Sequence, residues 1–454
     1  MNLIEIREFY SNDREEFTIK DDQEISMQLL KEYINQHRIK CKRYLRLKNT
    51  YEGFHSILEQ EEKEQYKPDN RLVMNYAKYI VDTLNGFFMG IPVNYNHDNE
   101  QMNERLKTIN SYNDVDDLNS EISKLVDIYG EAHEMHYVDE FAQPCFIELS
   151  PVSGFIIFDN SIRRKYRYYV NYDIVDSKIK GSYSDSSKIF YFEENEDKEL
   201  YITEEREHYY NGVPVVQYKS NSELMGAFEP VITLIDGINK AISEKANDVD
   251  YFSDAYLKIL GAMLEEEDLR TLRDSRIINL SRLGSDKNDI VVDFLEKPSV
   301  DTTQENLLER LISAVFMISQ TVNLADDTFT NTSGVSLEYK MQPMSNLLNN
   351  KERKFTSSFN RRYKLICSLP NIKMNKDEWL KIKYKFTRNK PQNVKEETDI
   401  ARNLKGIISD ESIIETLSIV ENAKKEYDKL KLQEYDGIED VRQLQGRVTE
   451  DEAI

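Results

Sequence analysis

Apolar and polar positions alternate with one period, then another, then the first again, and this divides the chain. Over residues 22–50, Ile25, Leu29, Tyr33, Ile34, His37 and Cys41 share a face at helical spacing, which predicts a helix. From Arg71, the series Leu72, Tyr76, Tyr79/Ile80, Thr83/Leu84 and Phe87 predicts another, with Gly90 and Pro92 as its stop. A further helix is expected over 116–129, ending near Gly130. Between 131 and 220 the period changes. Short β-branched and aromatic runs follow one another: CFIEL (145–149), GFIIFD (154–159), YRYYVNY (166–172), KIFYF (188–192), ELYIT (199–203) and PVVQY (214–218). Pro151, Asn160, Gly181, Asn195 and Asn211–Gly212 punctuate them as turns, and the reading is an antiparallel meander.

At Phe228 the helical period returns through Val231/Ile232, Ile235, Ile238, Ile242 and Ala246, with Pro230 in the first turn. A compact α/β excursion follows: YLKIL (256–260), an acidic helix (265–274), RIINL (276–280) and DIVVDFL (289–295). Helix is expected again from about Gln304 to Leu324. Within it, the charge-free run Leu311–Ala325 aligns Leu308, Leu311, Ile312, Val315, Ile318 and Val322, and a core helix and an inter-subunit helix stay equally open. The polar stretch DDTFTNTSG (326–334) reads as a loop, with Ser333 placed to cap a long helix reaching Cys367 that Pro343 kinks or starts. WLKIKYKF (379–386) reads as a strand, polar helices extend to about 436, and the acidic tail 438–454 is expected to be disordered. The chain thus leaves a sheet domain for a helical excursion and returns to it: an α+β protein.

Composition narrows the choice. The 454 residues carry a net charge of −22 and are 39% hydrophobic, enough for a substantial core in two to four domain-sized units. So acidic a chain is a poor broad grip on nucleic acid, which needs clustered Lys and Arg. Cys41, Cys145 and Cys367 are scattered, which suits a reducing compartment. The N-terminus is too charged for a signal peptide and no run is long enough for a membrane span, so a soluble intracellular protein is expected.

Phosphate-binding and nucleophile-elbow motifs are missing. The best metal candidate is Glu131, His133, Glu134 and His136; on a strand the two histidines, three apart, point to opposite faces, so no metal or cofactor is expected. RRKYRYYVNY (163–172) mixes Arg with aromatics as single-strand binders do, but a half-buried strand with a solvated basic face is the preferred reading.

Taken together, TYEGFHSIL (50–58), NRLVMNYAKYIVDTLNGFFMGIPVNY (70–95), IYGEAHEMHYVDE (128–140), SPVSGFIIFD (150–159), GAFEPVITLIDGINKAISEKANDV (226–249) and NTSGVSLEYKM (331–341) resemble the portal, or head–tail connector, proteins of tailed bacteriophages, of the siphophage type found in Gram-positive hosts. The resemblance covers most of residues 40–435. It implies a wing over about 1–225 and 337–390, stem helices over 226–255 and 304–325, an α/β clip over 256–303, a tunnel loop at 326–334 (or to 336), a long kinked helix, and a crown over 391–436. It also implies a non-enzymatic protein that forms a ring, dodecameric in this family, at one vertex of the virion after assembly in the host cytoplasm. Expected partners are terminase, head-completion proteins, major capsid and scaffold proteins, and double-stranded DNA in transit without sequence specificity; no membrane is implied. The implied site residues are Thr328, Phe329, Thr330, Asn331, Thr332, Ser333 and Gly334 facing DNA. Ile278 and Val292 are expected at clip contacts between subunits, and Ile235, Ile238, Ile242, Leu311, Val315 and Ile318 in the stem. Three features depart from the family pattern: Ala227 in place of an acid, no proline in NLADDTFT, and Pro343.

Overall fold

Ser26 accepts a hydrogen bond from the Leu29 N–H and so starts helix α1 (Met27–Glu52), which follows the short strand β1 (Phe17–Ile19). Gly53, at φ +97°, ends α1 by donating to Asn49 and Thr50 carbonyls. The computed structural model describes residues 16–64, 67–253, 257–260, 291–294, 301–324, 334–372, 375–389, 394–417, 419–420 and 423–432. Helix α2 (Tyr76–Met89) starts later than Arg71, because 70–74 lie outside any helix and are held in another way described below. Strand β2 (Asn94–Asn96) leads to α3 (Glu100–Tyr112), capped by Asn99, which the periodicity did not reveal because only Leu106 and Ile109 are buried. Helix α4 (Val115–Tyr129) ends at Gly130 (φ +90°), as read.

The expected meander is two sheets. Strands β3 (Glu131–Val138) and β4 (Pro144–Leu149) belong to a three-stranded sheet with a later strand, while β5 (Gly154–Asp159), β6 (Tyr166–Val175), β7 (Lys178–Ser184), β8 (Lys188–Glu194) and β9 (Leu200–Glu207) form the meander proper. β1 adds to β5 in parallel, giving a six-stranded sheet ordered β1-β5-β6-β7-β8-β9. The strand β10 (Val215–Lys219) returns to β3 in the order β10-β3-β4. Gly181, read as a turn, sits inside β7: a Cβ there would come 2.2 Å from the Asn171 carbonyl oxygen, so glycine lets β6 and β7 close up.

Alternation places the cores. Phe155, Ile157, Tyr168, Val170, Tyr172, Phe192 and Leu200 pack against Leu30 and Ile34 of α1. On the opposite face Ile156, Phe158 and Tyr169 pack with Val213, just ahead of β10, and with Val215, Met135 and Leu149 of the smaller sheet. In the first core His37 is buried neutral. Its Nε2–H donates to the Pro151 carbonyl (2.8 Å), which leaves Nδ1 to accept from the Tyr172 hydroxyl (2.8 Å), and burial pulls its pKa down to about 4.

Past a 3₁₀ turn (Glu229–Val231), helix α5 (Ile232–Ser253) packs beside α6 (Asp301–Ser319). Between them β11 (Leu257–Leu260) pairs antiparallel with β12 (Val291–Phe294), setting Ile259 opposite Val292; Ile278 and the expected acidic helix lie outside the described residues. Thr328, Phe329, Thr330, Asn331, Thr332 and Ser333 also lie outside them. Gly334, assigned to that loop from sequence, is instead the first residue of α7 (Gly334–Cys367), whose interior contains Pro343. The expected strand 379–386 shrinks to a 3₁₀ turn (Glu378–Lys381) and β13 (Lys383–Lys385). β13 pairs with β2, not with the large sheet.

The chain divides into two compact units. The first comprises Met1–Phe329 and Tyr339–Arg388, and the second Thr330–Glu338 and Asn389–Ile454. In the second, α8 (Val394–Leu404), α9 (Asp410–Glu415, capped by Ser409) and a helix over 423–432 are described. Among the described residues no helix is long and apolar enough to cross a membrane.

Candidate functional site

The helix pair α5–α6 is joined by its apolar residues and leaves others uncovered. Ile235 and Ile238 are fully buried and Ile242 is half-buried; on α6, Leu308 and Val315 are buried and Leu311 half-buried. Gly237 faces Leu311 across this contact, and a Cβ there would lie at an ordinary 4.0 Å from Leu311 Cδ1, so the pairing does not depend on glycine. Ile318, placed with the buried stripe from sequence, is 47% exposed, and α6 ends at Ser319, short of Leu324, where Gln320 takes φ +55°. The helix turn sets the reason. Leu307, Leu311, Ala314 and Ile318 fall on a face offset from Leu308 and Val315, and Leu307 and Met317 are exposed as well.

A polar row ties α5 to the segment before α2. Asn239 Oδ1 accepts from the Met74 N–H (2.7 Å), Ser243 Oγ from Leu72 (2.9 Å) and Asn247 Oδ1 from Asn70 (2.6 Å). Side chains four apart on a helix advance about 6 Å. Two residues of extended chain advance about 6.6 Å. Every second amide of 70–74 therefore meets a helix side chain in register. All three acceptors are buried, so these bonds replace water the amides no longer reach.

The end of α6 is pinned too. Tyr79 accepts at its hydroxyl from the Leu324 N–H (2.9 Å) and donates to the Val322 carbonyl (3.2 Å), while Tyr76 and Tyr79 meet Phe316 edge-on at 5.7 and 5.6 Å. This fixes the chain just ahead of 326–334.

Three buried ion pairs hold the frame. Arg43 donates through Nε to Glu229 Oε1 (2.8 Å) and through Nη2 to the Leu224 carbonyl (2.9 Å), while Glu229 also accepts from Gly226 N–H, so α1 fixes the entry to α5. Lys351 of α7 donates to Asp127 (2.7 Å) and Ser123 (2.8 Å) of α4; burial pushes the Asp127 carboxyl up and the Lys351 ammonium down, each opposed by the other's charge. Arg362 of α7 grips Glu134 of β3 through Nε and Nη2, with Asn119, Tyr218 and His136 completing the shell. Burial alone would raise Glu134, but the Arg362 charge and the His136 hydrogen bond hold it at about 2. Ala227, where an acid was expected, contributes its N–H to the Asp127 carbonyl (2.7 Å).

The other sequence candidates have structural roles. His133 and His136 do fall on opposite faces of β3: Glu131 accompanies the first, and Glu134, bonded to His136 at 2.8 Å, the second. The Tyr/Arg run is half-buried: Arg163, Arg164 and Lys165 are exposed, and over Tyr168–Tyr172 no stacking face is left to solvent. The second sheet covers the side of Tyr169, α1 covers Tyr168 and Tyr172, and Arg361 lies 3.5 Å over the Tyr166 ring. Sequence reasoning missed Arg43, Lys351 and Arg362, charges that read as solvated surface. It also missed the Asn239–Ser243–Asn247 row, whose signal was amide and hydroxyl side chains at four-residue spacing beside an apolar face.

Buried charges that fix helices, and exposed apolar residues on α6, describe a framework built around an anchored helix pair. The chain belongs to the phage portal protein family: the family model described as "Phage portal protein, SPP1 Gp6-like" matches residues 30–440. It is 23% identical over 408 residues to the portal protein of Clostridium phage phiCD119, covering 83% of this chain and 88% of the relative. It is 22% identical over 469 residues to the portal protein of Bacillus phage SPP1, covering 95% and 89%. Among solved structures, the neck of an empty GTA particle matches 74% of this chain and 88% of its own, at 10% identity and a TM-score of 0.45. The protein is a portal protein, similar to those of phages of Gram-positive hosts, and so a structural component of the virion and not an enzyme.

Proposed function

We propose that this chain forms the ring-shaped channel at one capsid vertex through which viral DNA is packaged and ejected. In the host cytoplasm it would assemble with capsid and scaffold proteins, then serve terminase and the head-completion proteins in turn. The observation that carries this reading is the family match over residues 30–440. The exposed apolar residues Leu307, Met317 and Ile318 of α6 support the ring, since an uncovered helix face suits burial against a neighbouring copy. On this reading α5 and α6 are the stem, residues 256–303 the clip with Ile278 and Val292 near its subunit contacts, and 391–436 the crown. The sheets with their flanking helices, including the return at 337–390, are the wing. A net charge of −22 lets DNA slide where a basic bore would hold it through phosphates. Purified protein should appear as closed rings in negative stain, twelve copies being the family's number. The double variant Met317→Asp/Ile318→Asp should sediment as folded monomer, and rings formed normally by that variant would place the face elsewhere.

The loop 326–333 is proposed to face DNA through Thr328, Phe329, Thr330, Asn331, Thr332 and Ser333. Residues 328–333 are polar or aromatic and carry no charge, and Asp326 and Asp327 ahead of them are acidic, so contact would not bring the salt-dependent grip of Lys or Arg. Removing Thr330 and Asn331 should leave rings and procapsids intact and lower the yield of DNA-filled heads in a complementation assay. Wild-type filling would show that the loop does not touch the DNA path.

A further inference from the structure

One end of the six-stranded sheet carries opposite charges at its two sides. The β5–β6 connection, NSIRRK (160–165), holds three cations and no acid, with Ile162 fully exposed at its tip. The loop is rigidly formed. Asp159 Oδ1 accepts from Ser161 Oγ (2.7 Å) and Lys165 N–H (2.8 Å), and Asp159 N–H donates to the Lys165 carbonyl (2.9 Å). Arg164 is engaged with Glu16 (2.6 Å), but Arg163 and Lys165 form no ion pair among the described residues. Across the sheet, β9 is an edge strand exposed at every residue after Leu200, and the β8–β9 hairpin (188–207) has eight acids against three bases. Among the described residues Glu205 forms an ion pair with the half-buried Lys188, and exposed Tyr209 lies two residues past Glu207.

Register sets these two features at the same end of the sheet, with Arg206 level with Tyr169 and the loop projecting about 13 Å farther, four residues beyond at the strand rise. Tyr169 pairs with Ser184, Ser184 with Ile189, and Ile189 with Arg206, so Glu205 and Glu207 stand at the end of the sheet from which the loop projects. They lie three strand spacings away from β6, about 14 Å. One loop cannot serve both sides of its own sheet. A closed ring, however, uses a heterologous contact in which each copy offers two different, complementary patches.

We propose that the loop 160–165 docks on the β9 edge of the next copy, with Arg163 and Lys165 against Glu205 and Glu207 and Ile162 against Tyr209. The inference rests on the ring reading above. The contact buries an apolar tip inside a charged rim, and its preformed loop loses little freedom on docking. It also covers an open strand edge that would otherwise be available for pairing.

The experiment is charge exchange, read by sedimentation of the full chain in 0.1 M salt. Arg163→Glu/Lys165→Glu and, separately, Glu205→Lys/Glu207→Lys should each raise the concentration for half-assembly by about tenfold or more. The quadruple variant should recover most of that loss, and so should an equal mixture of the two doubles, in alternating rings. Far-UV circular dichroism and melting of each variant should match wild type, since all four positions are exposed. Unchanged assembly in both doubles, or a quadruple no better than its worse parent, would overturn the contact. Wild-type protein that never forms rings would remove the portal reading itself, and the contact with it.

Discussion

Arg362→Met is expected to destabilise the sheet unit by roughly 3–5 kcal/mol, the cost of stranding a buried charge when its partner is removed. Arg362 and Glu134 are both fully buried, and the pair joins α7 to β3 across 228 residues of sequence. Removing the guanidinium leaves the Glu134 carboxylate with only Tyr218 (2.9 Å) and His136 (2.8 Å), and also strips Asn119 of its donor. Methionine roughly keeps the volume against Phe359, over which the guanidinium sits at 4.8 Å, so the loss is electrostatic and not a cavity. The double variant Glu134→Gln/Arg362→Met should recover a large part of the stability, because it removes the charge that the single change isolates. Urea midpoints of wild type, single and double decide the matter. A single variant within 1 kcal/mol of wild type would mean that water or rearrangement already satisfies Glu134.

The legible helices of this fold were those where one face meets solvent and the other a core. α1, α4 and α5 announced themselves because Ile34, Ile122 and Ile235 recur on one buried side of each. The strands β5 and β6 were visible for a different reason: both faces meet a core, so GFIIFD and YRYYVNY are short, nearly continuous apolar and aromatic runs. What failed was non-local. Nothing in CFIEL or PVVQY says that they leave the meander to pair with β3, because an alternating strand is equally content in either sheet. β7 hid because KIKGSYS has few apolar residues and a glycine, which reads as a turn unless the close approach of Asn171 is known. α6 was taken to Leu324 because an uncharged run looks continuous, whereas Gln320 turns left-handed and Tyr79 captures the chain beyond it. The buried cations were invisible in principle: Lys351 and Arg362 look like any exposed lysine or arginine until Asp127 and Glu134 come to meet them.

The triple variant Asn239→Ala/Ser243→Ala/Asn247→Ala is expected to cut α5 loose from the segment ahead of α2. The amides of Asn70, Leu72 and Met74 lose their acceptors. Each unsatisfied amide costs about 1–3 kcal/mol if it stays buried. The segment has an escape, since it can lift toward water, and so the cost will surface as local opening more than as global unfolding. Hydrogen exchange separates these outcomes. Exchange at Asn70, Leu72 and Met74 should accelerate by about ten- to a hundredfold, one decade for every 1.4 kcal/mol lost. Arg71 and Val73, whose amides point away from the row, should change far less, and α2 should keep its protection because Asn75 caps it independently by accepting from Lys78. Equal acceleration across 70–74 would mean that the segment is held by its side chains and not by the row. If the pattern alternates, α5 and α2 are coupled through three hydrogen bonds and not through apolar contact alone. A helix held by directional bonds has one angle and one height. That is a requirement for any pair of helices that must repeat identically around a ring, because an angular error in one copy is multiplied at every interface before the ring can close.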